Sequence, residues 1–190
     1  MTEALKDPIV WVDLEMTGLD PETDVVLEIA VIVTDGSLET VIEGPDLVLY
    51  ATDEELQRMP PVVVEMHGVS GLTKAVRDSK IDVREAQREA LAFIRQHVPE
   101  ARTAPLAGNS IGTDRMFLRK HMPELEAHLH YRNIDVSTLK ELVGRWYPGA
   151  LAQRPEKNGG HRALADIRES IAELRWYREH IFRKPEAPQT

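Results

Sequence analysis

Cysteine is absent from this 190-residue chain. That excludes disulfides and thiolate metal sites but leaves the compartment open. No apolar run is long enough to cross a bilayer. The longest, around Val25 to Val33, falls far short of the roughly 20 residues a spanning helix requires. The opening segment, Met1 to Asp7, has neither the basic nor the apolar region of a signal peptide, so a cytoplasmic protein without membrane attachment is the expectation. Basic runs are missing as well: 23 Lys and Arg stand against 32 Asp and Glu, a net charge of −9. A protein that grips a long nucleic acid draws most of its affinity from many phosphate contacts by basic side chains. Any nucleic-acid substrate here would be held locally, and a short one suits the charge better than a long one.

What is present reads as one globular domain over 1–190, with a core over about 8–182 and short frayed tails at both ends. No internal repeat, low-complexity stretch or linker interrupts it. Ile9 to Glu15 reads as a first strand, and Val25 to Thr34, rich in Val and Ile, as a central strand covered on both faces. Glu28 inside that run is either part of an acidic face or a buried, hydrogen-bonded glutamate. Asp46 to Tyr50 reads as a third strand reached by a turn at Asp35-Gly36 or Gly44-Pro45. Helical spacing then appears over Asp82 to Val98 and Thr113 to His121, with a short strand at Pro105 to Gly108 between them. A strand at Tyr131 to Val136 precedes a helix capped by Ser137 or Thr138 and running to Tyr147. A last helix covers Arg162 to Phe182. The pattern predicts an α/β fold, a five-stranded mixed sheet flanked by helices on both faces.

The acidic residues are the informative ones. In Val10-Trp11-Val12-Asp13-Leu14-Glu15, strand alternation sends Val10, Val12 and Leu14 one way and Trp11, Asp13 and Glu15 the other. Two carboxylates on one face repel unless a positive charge lies between them, and a divalent cation is the usual answer. Asp114 opens a predicted helix just after a strand, and His161-Arg162-Ala163-Leu164-Ala165-Asp166 follows Gly159-Gly160, a pair that predicts a mobile loop. An acidic cluster drawn from separate segments, with one histidine, matches two-metal phosphodiester hydrolysis. Singly, each element has an ordinary reading. Asp-x-Glu marks many solvated surfaces, Asp114 suits the first turn of a helix, and His161 suits a surface turn.

Asp13-x-Glu15, Asp114 and His161-x4-Asp166 together resemble the three motifs of the DEDDh 3′-to-5′ exonuclease family. Met66-His67-Gly68-Val69-Ser70-Gly71-Leu72, Gly108 to Gly112, Tyr131 to Leu142 and Asp166 to Ser170 resemble its oligoribonuclease branch over about residues 8 to 182. The resemblance implies a ribonuclease H-like fold, a homodimer, and release of 5′-mononucleotides from the 3′ end of diribonucleotides and very short RNAs. It implies two Mg²⁺ or Mn²⁺ ions, one on Asp13, Glu15 and Asp166 and one on Asp13 and Asp114, with His161 as general base. It also implies that Ser110, Arg132, Ser137 and Thr138 bind a terminal phosphate. Tyr131 would enter the partner subunit's site, Leu19 would wedge between bases, and His67 would contact a base. Each of these has an alternative in the residues alone: helix caps at Ser137 and Thr138, a core aromatic at Tyr131, a loop anchor at Leu19, a solvated loop histidine at His67. Val62 stands where the family commonly has an aromatic, which predicts weaker stacking, and Thr113 where it usually has Gln. The competing readings are a DEDDh exonuclease of broader length range and a non-catalytic nucleic-acid-binding derivative of the fold.

Overall fold

The computed structural model describes residues 5–154, 160 and 162–182. Five strands form one sheet: β1 (Ile9–Met16), β2 (Val26–Thr34), β3 (Val41–Val48), β4 (Pro105–Gly108) and β5 (His130–Asp135). Their order is β3-β2-β1-β4-β5, with β2 antiparallel to both of its neighbours, β1 and β3, and β4 and β5 parallel to β1. The mixed five-stranded sheet expected from the sequence is therefore present. Nine helices lie among the described residues. Three short ones, α1 (Asp53–Gln57), α2 (Pro61–Val69) and α3 (Leu72–Asp78), precede α4 (Val83–His97). Then come α5 (Gly112–His121), α6 (Pro123–His128), α7 (Val136–Trp146), α8 (Pro148–Leu151) and α9 (Ala163–His180).

The alternation in β1 sorts its side chains between two cores. Val10, Val12 and Leu14 pack with Val31 and Val33 of β2 against Ala86, Ala90 and Ile94 of α4 and Phe117 and Leu118 of α5. Trp11 packs on the other face with Ile32, Val136 and Val143 of α7 and Ile167 and Ile171 of α9. The Trp11 indole N–H is satisfied in the core by the Thr34 hydroxyl, 3.0 Å away, as a buried donor requires. Every residue of β2 is buried, which accounts for its near-continuous apolar run. Leu27, Leu56, Leu72 and Val76 form a satellite core under α1 to α3.

Three departures from the sequence reading have local causes. β3 begins at Val41, and Gly44-Pro45 lies within it as an irregularity in its pairing with β2. An edge strand tolerates a proline there, and the Phe93 ring lies so close to Gly44 that a Cβ would meet it at 2.3 Å. The reversal falls at Asp35-Gly36, the first of the two turns the sequence offered, where the Asp35 carboxylate accepts from the Glu39 and Thr40 amides. The cap of α7 is Asp135, whose side chain accepts from the Ser137 amide; Ser137 and Thr138 lie inside the helix. Pro123 both stops α5 and opens α6, since a proline at the first helical position loses no bond. Among the described residues no helix is long and apolar enough to cross a membrane.

Candidate active site

Three elements converge at the end of β1. The strand supplies Asp13 and Glu15 on the Trp11 face, and the first turn of α9 supplies Asp166. One carboxylate oxygen from each lies within 4.8 Å of the other two. Asp114 arrives separately, because the parallel pairing of β4 with β1 sets the start of α5 beside the C-terminal end of β1. There Asp114 is buried, and its Oδ1 accepts from the Leu14 backbone amide at 3.0 Å. It stands outside the 4.8 Å group. Sites at the carboxyl ends of sheet strands, next to helix N-termini, are where α/β folds collect ligands.

The electrostatics are those of a cation site. Burial raises the Asp13 carboxyl well above its usual range, and Asp114, Glu15, Asp166 and Glu28 push it further. Glu15 is pushed up to about 7 by burial and then by Asp166, Glu28 and Asp114, with Arg162 opposing weakly. Burial lifts Asp114 to about 7 despite the hydrogen bond from Leu14. Desolvated acids crowded together resist ionisation unless a cation joins them. Carboxylate oxygens at this spacing, without sulfur or imidazole among the three, suit a hard divalent ion such as Mg²⁺ or Mn²⁺. The donor set fits the cations that the sequence implied.

A model of an exonuclease family, RNase_T, matches residues 10–174. An oligoribonuclease of Rhodococcus jostii is 54% identical over 186 residues, covering 98% of this chain and 94% of that protein. An oligoribonuclease of Aeromonas hydrophila is 58% identical over 175 residues, covering 92% and 96%. The chain belongs to the oligoribonuclease family. Its membership makes it a metal-dependent 3′-to-5′ exoribonuclease, a phosphodiester hydrolase. Among solved structures, exonuclease I of Methylocaldum szegediense superposes with a TM-score of 0.67 at 20% identity over 92% of this chain. Exonuclease I of E. coli in complex with an oligonucleotide gives 0.68 at 16% over 93%. Both are longer proteins, of which this chain spans 41%. They share the ribonuclease H-like fold.

The remaining expected residues of this oligoribonuclease-family chain sort into three places. Ser110 and Ser137 meet: the Ser110 amide donates to Asp135 Oδ1 and to Ser137 Oγ, both at 3.0 Å, and the two hydroxyls are 3.2 Å apart. Ser110 adopts φ +52°, a left-handed conformation that these bonds hold in place. Thr138 is exposed on the next residue of α7. Asp135 already takes the Ser137 amide, so the first turn of α7 presents a capped end to any phosphate. Arg132 is apart from this cluster, its guanidinium 5.3 Å above the Tyr131 ring. Tyr131 is 70% exposed and Leu19 75%, so the core-aromatic reading of Tyr131 fails and both side chains face outward.

His67 corrects both of its sequence readings. It sits on α2 and is fully buried, not solvated in a loop. Its Nε2 lies 3.0 Å from the Met16 carbonyl, so that nitrogen is the donor, since a carbonyl only accepts. Nδ1 faces Glu15 Oε2 at 3.8 Å. The ring braces the end of β1 and Glu15, and no face of it is open to a base. His161 and Gly159 lie outside the described residues. Val62 is exposed on α2, and Thr113 sits beside Asp114 in the first turn of α5.

Of the residues that brace the site, sequence reasoning singled out Glu28, and its reading as a buried, hydrogen-bonded glutamate holds; the others it missed. Glu28 takes Arg162 at 2.8 and 2.6 Å and the Ala163 amide at 3.2 Å, which fixes the N-terminus of α9. Arg115, buried beside Asp114, donates to Glu126, to the His130 and Tyr131 carbonyls and to Asn133, tying β5 to α5. Asn109, inside a quoted motif, bonds both Ser137 and Ser170. Glu28 alone carried a signal, a charge within an apolar strand.

Proposed function

We propose that the chain cleaves diribonucleotides and very short oligoribonucleotides into 5′-mononucleotides in the cytoplasm, at a site holding two Mg²⁺ or Mn²⁺ ions. The observation that carries the reading is the cluster of Asp13, Glu15 and Asp166, in which burial and the neighbouring acids raise the Asp13 and Glu15 carboxyls. Asp13, Glu15 and Asp166 would hold one cation and Asp13 with Asp114 the other. Bound cations supply a hydroxide-like nucleophile at neutral pH and neutralise the leaving oxygen.

The chain's own residues do the rest. His161 accepts a proton from the attacking water, a task an imidazole suits near neutral pH. Water oxygen bonds to phosphorus, the P–O3′ bond breaks, and the released 3′ oxygen takes up a proton. Leu14 holds Asp114 in place through its amide. Ser110 and Ser137, with Thr138 and Arg132, receive the substrate's 5′ phosphate, which ends the site and leaves longer chains without a place. Arg132 would swing off Tyr131 to do so, a charge-assisted bond to phosphate being stronger than an exposed stacking contact. The relatives' common description as oligoribonucleases supports the short substrate, as does a charge of −9.

The test is product analysis over substrates from two nucleotides upward, with divalent cations and with EDTA. Cleavage of a 5′-phosphorylated diribonucleotide far faster than of a twenty-nucleotide strand supports the reading. Equal rates would transfer it to an exonuclease of broad length range. Full activity in EDTA would end the cation scheme.

We also propose that two subunits share each site, with Tyr131 reaching across a two-fold contact, the commonest oligomer symmetry. Its exposure on the edge strand β5 supports this. Tyr131→Ala and Asp13→Ala proteins, each nearly inactive, should regain activity when mixed and allowed to exchange, because one hybrid site keeps its own acids and its partner's tyrosine. An active monomer by light scattering, or no rescue after proven exchange, excludes the shared site.

A further inference from the structure

Glu173 is a buried carboxylate that the cation scheme does not use. It is 2% exposed and lies on α9, seven residues past Asp166, hence on nearly the same helix face. Its Oε1 accepts from Arg154 Nη1 at 2.8 Å and from the Tyr177 hydroxyl at 2.9 Å. Its Oε2 faces Asn109 Nδ2 at 3.5 Å. Asn109 Nδ2 also donates to Ser170 Oγ at 2.7 Å, and Ser170 donates its own proton to the Asp166 carbonyl at 2.8 Å. Both groups on this side of the Asn109 amide are therefore acceptors. The amide has to present its NH₂ to them and its oxygen to the other side.

That orientation sets the direction of everything beyond it. Asn109 Oδ1 accepts the Ser137 hydroxyl proton at 3.0 Å. A hydroxyl has one proton, so the Ser137 oxygen faces Ser110 only as an acceptor. It takes the Ser110 amide at 3.0 Å and lies 3.2 Å from the Ser110 hydroxyl. The Ser110 hydroxyl is then the donor of that last pair.

We propose that Glu173 is a positioning residue: together with Ser170 and through Asn109 it fixes the direction of the Asn109–Ser137–Ser110 hydrogen-bond chain, so that the Ser110 hydroxyl is the one that turns to the substrate's 5′ phosphate. This rests on the reading that Ser110 and Ser137 receive the phosphate. Because Glu173, Ser170 and Asp166 share α9, the chain also holds the phosphate end in register with the acidic end. Within that phosphate cluster Ser137 is the relay that orients Ser110, its own proton going to Asn109.

The test compares kcat and KM for 5′-phosphorylated and 5′-hydroxyl diribonucleotides in wild type, Ser110→Ala, Glu173→Gln, Asn109→Ala and the Glu173→Gln/Ser110→Ala double variant. In Glu173→Gln a side-chain amide can offer its NH₂ to Asn109, which leaves the Ser170 hydroxyl, of these two acceptors, as the one that still holds the Asn109 amide in that direction. The expected result is a loss of about tenfold in preference for the phosphorylated substrate, the usual worth of one charge-assisted hydrogen bond. It should appear in KM, with the hydroxyl substrate unchanged. Ser110→Ala should lose the preference similarly, and the double variant should lose no more than Ser110→Ala alone, because both changes remove one interaction. A merely structural glutamate would instead lower both substrates alike. If Glu173→Gln does not fold, Asn109→Ala and its double with Ser110→Ala carry the same comparison. A wild type indifferent to the 5′ phosphate, or a Ser110→Ala that keeps the preference, overturns the phosphate reading. A Ser110→Ala that loses the preference beside a Glu173→Gln or Asn109→Ala that keeps it, or losses that multiply in the double variant, overturns the positioning role of Glu173.

Discussion

Glu15 and Glu28 stand directly opposite each other on β1 and β2, one face of the sheet, both buried, and their surroundings treat them in opposite ways. Glu28 receives the Arg162 guanidinium and the Ala163 amide. Glu15 receives three other acids, and its carboxyl is pushed up to about 7. Arg162 is near enough to oppose that shift, but its hydrogen bonds go to Glu28. One glutamate was given its cation by the chain and fixes the start of α9. The other, on the function proposed, takes its cation from solution. A buried acid with an arginine is architecture; a buried acid among acids is a site.

The largest test of that contrast is catalytic. Asp13→Asn or Asp166→Ala should lower turnover on the order of 10³-fold or more, since cation stabilisation of the transition state is worth several kcal/mol. His161→Ala should lose about 10²–10⁴-fold while keeping cation binding, the range for general-base catalysis. Mononucleotide release measures the first and isothermal titration with Mn²⁺ the second. Near-wild-type turnover in Asp166→Ala would merge the two kinds of glutamate.

The next tests read stability. Arg162→Ala leaves the buried Glu28 with the Ala163 amide but without its guanidinium, and should cost about 3 kcal/mol in urea unfolding, the low end for a buried pair because the Arg162 side chain is 39% exposed. Glu15→Gln should do the reverse in cation-free protein. The Glu15 pKa in the folded state, about 7, lies above its unfolded value. The folded protein therefore holds a proton that the unfolded chain gives up between roughly pH 4.5 and 7. Stability falls as pH rises through that window, and the whole cost is present above it. At pH 8, Glu15→Gln should gain up to about 3 kcal/mol over wild type; at pH 4 it should gain nothing. A gain that does not depend on pH would show that Glu15 is destabilising for some other reason than its charge.

The smallest effect is linkage. Cations at a hundredfold above their dissociation constant should raise wild-type stability at pH 8 by about 2.7 kcal/mol, and by far less in Asp13→Asn or below pH 5, where the ligands are protonated. Thermal unfolding with and without Mg²⁺ reads this directly. Equal stabilisation of wild type and Asp13→Asn would place the cation elsewhere.

Much of the site was legible because its chemistry is carried by residue type and local period. Alternation alone put Asp13 and Glu15 on the Trp11 face, and the separation of the two cores bears that out. Asp114 and Asp166 were placed at helix starts, where they lie. The short helices between Asp53 and Asp78 were not legible, because their stability comes from the satellite core around Leu27, Leu56 and Leu72 more than from a repeating stripe. His67 looked like a loop residue because nothing in its neighbours announces that α2 folds it beneath the end of β1. The α7 cap was misassigned to Ser137 or Thr138 for a related reason. Asp135, Ser137 and Thr138 are all good capping residues, and Ser110 decides among them by drawing Asp135 and Ser137 together.

The amino-acid sequence by itself determined every strand but the course of β3, the faces of β1 and the acids on them, since these follow from periods of two and 3.6 and from charge. The tertiary structure decided which buried carboxylate received an arginine and which did not. Glu28 finds Arg162 across 134 residues, and Glu173 finds Asn109 across 64. Long-range pairing obeys distance in space, which one-dimensional spacing does not record.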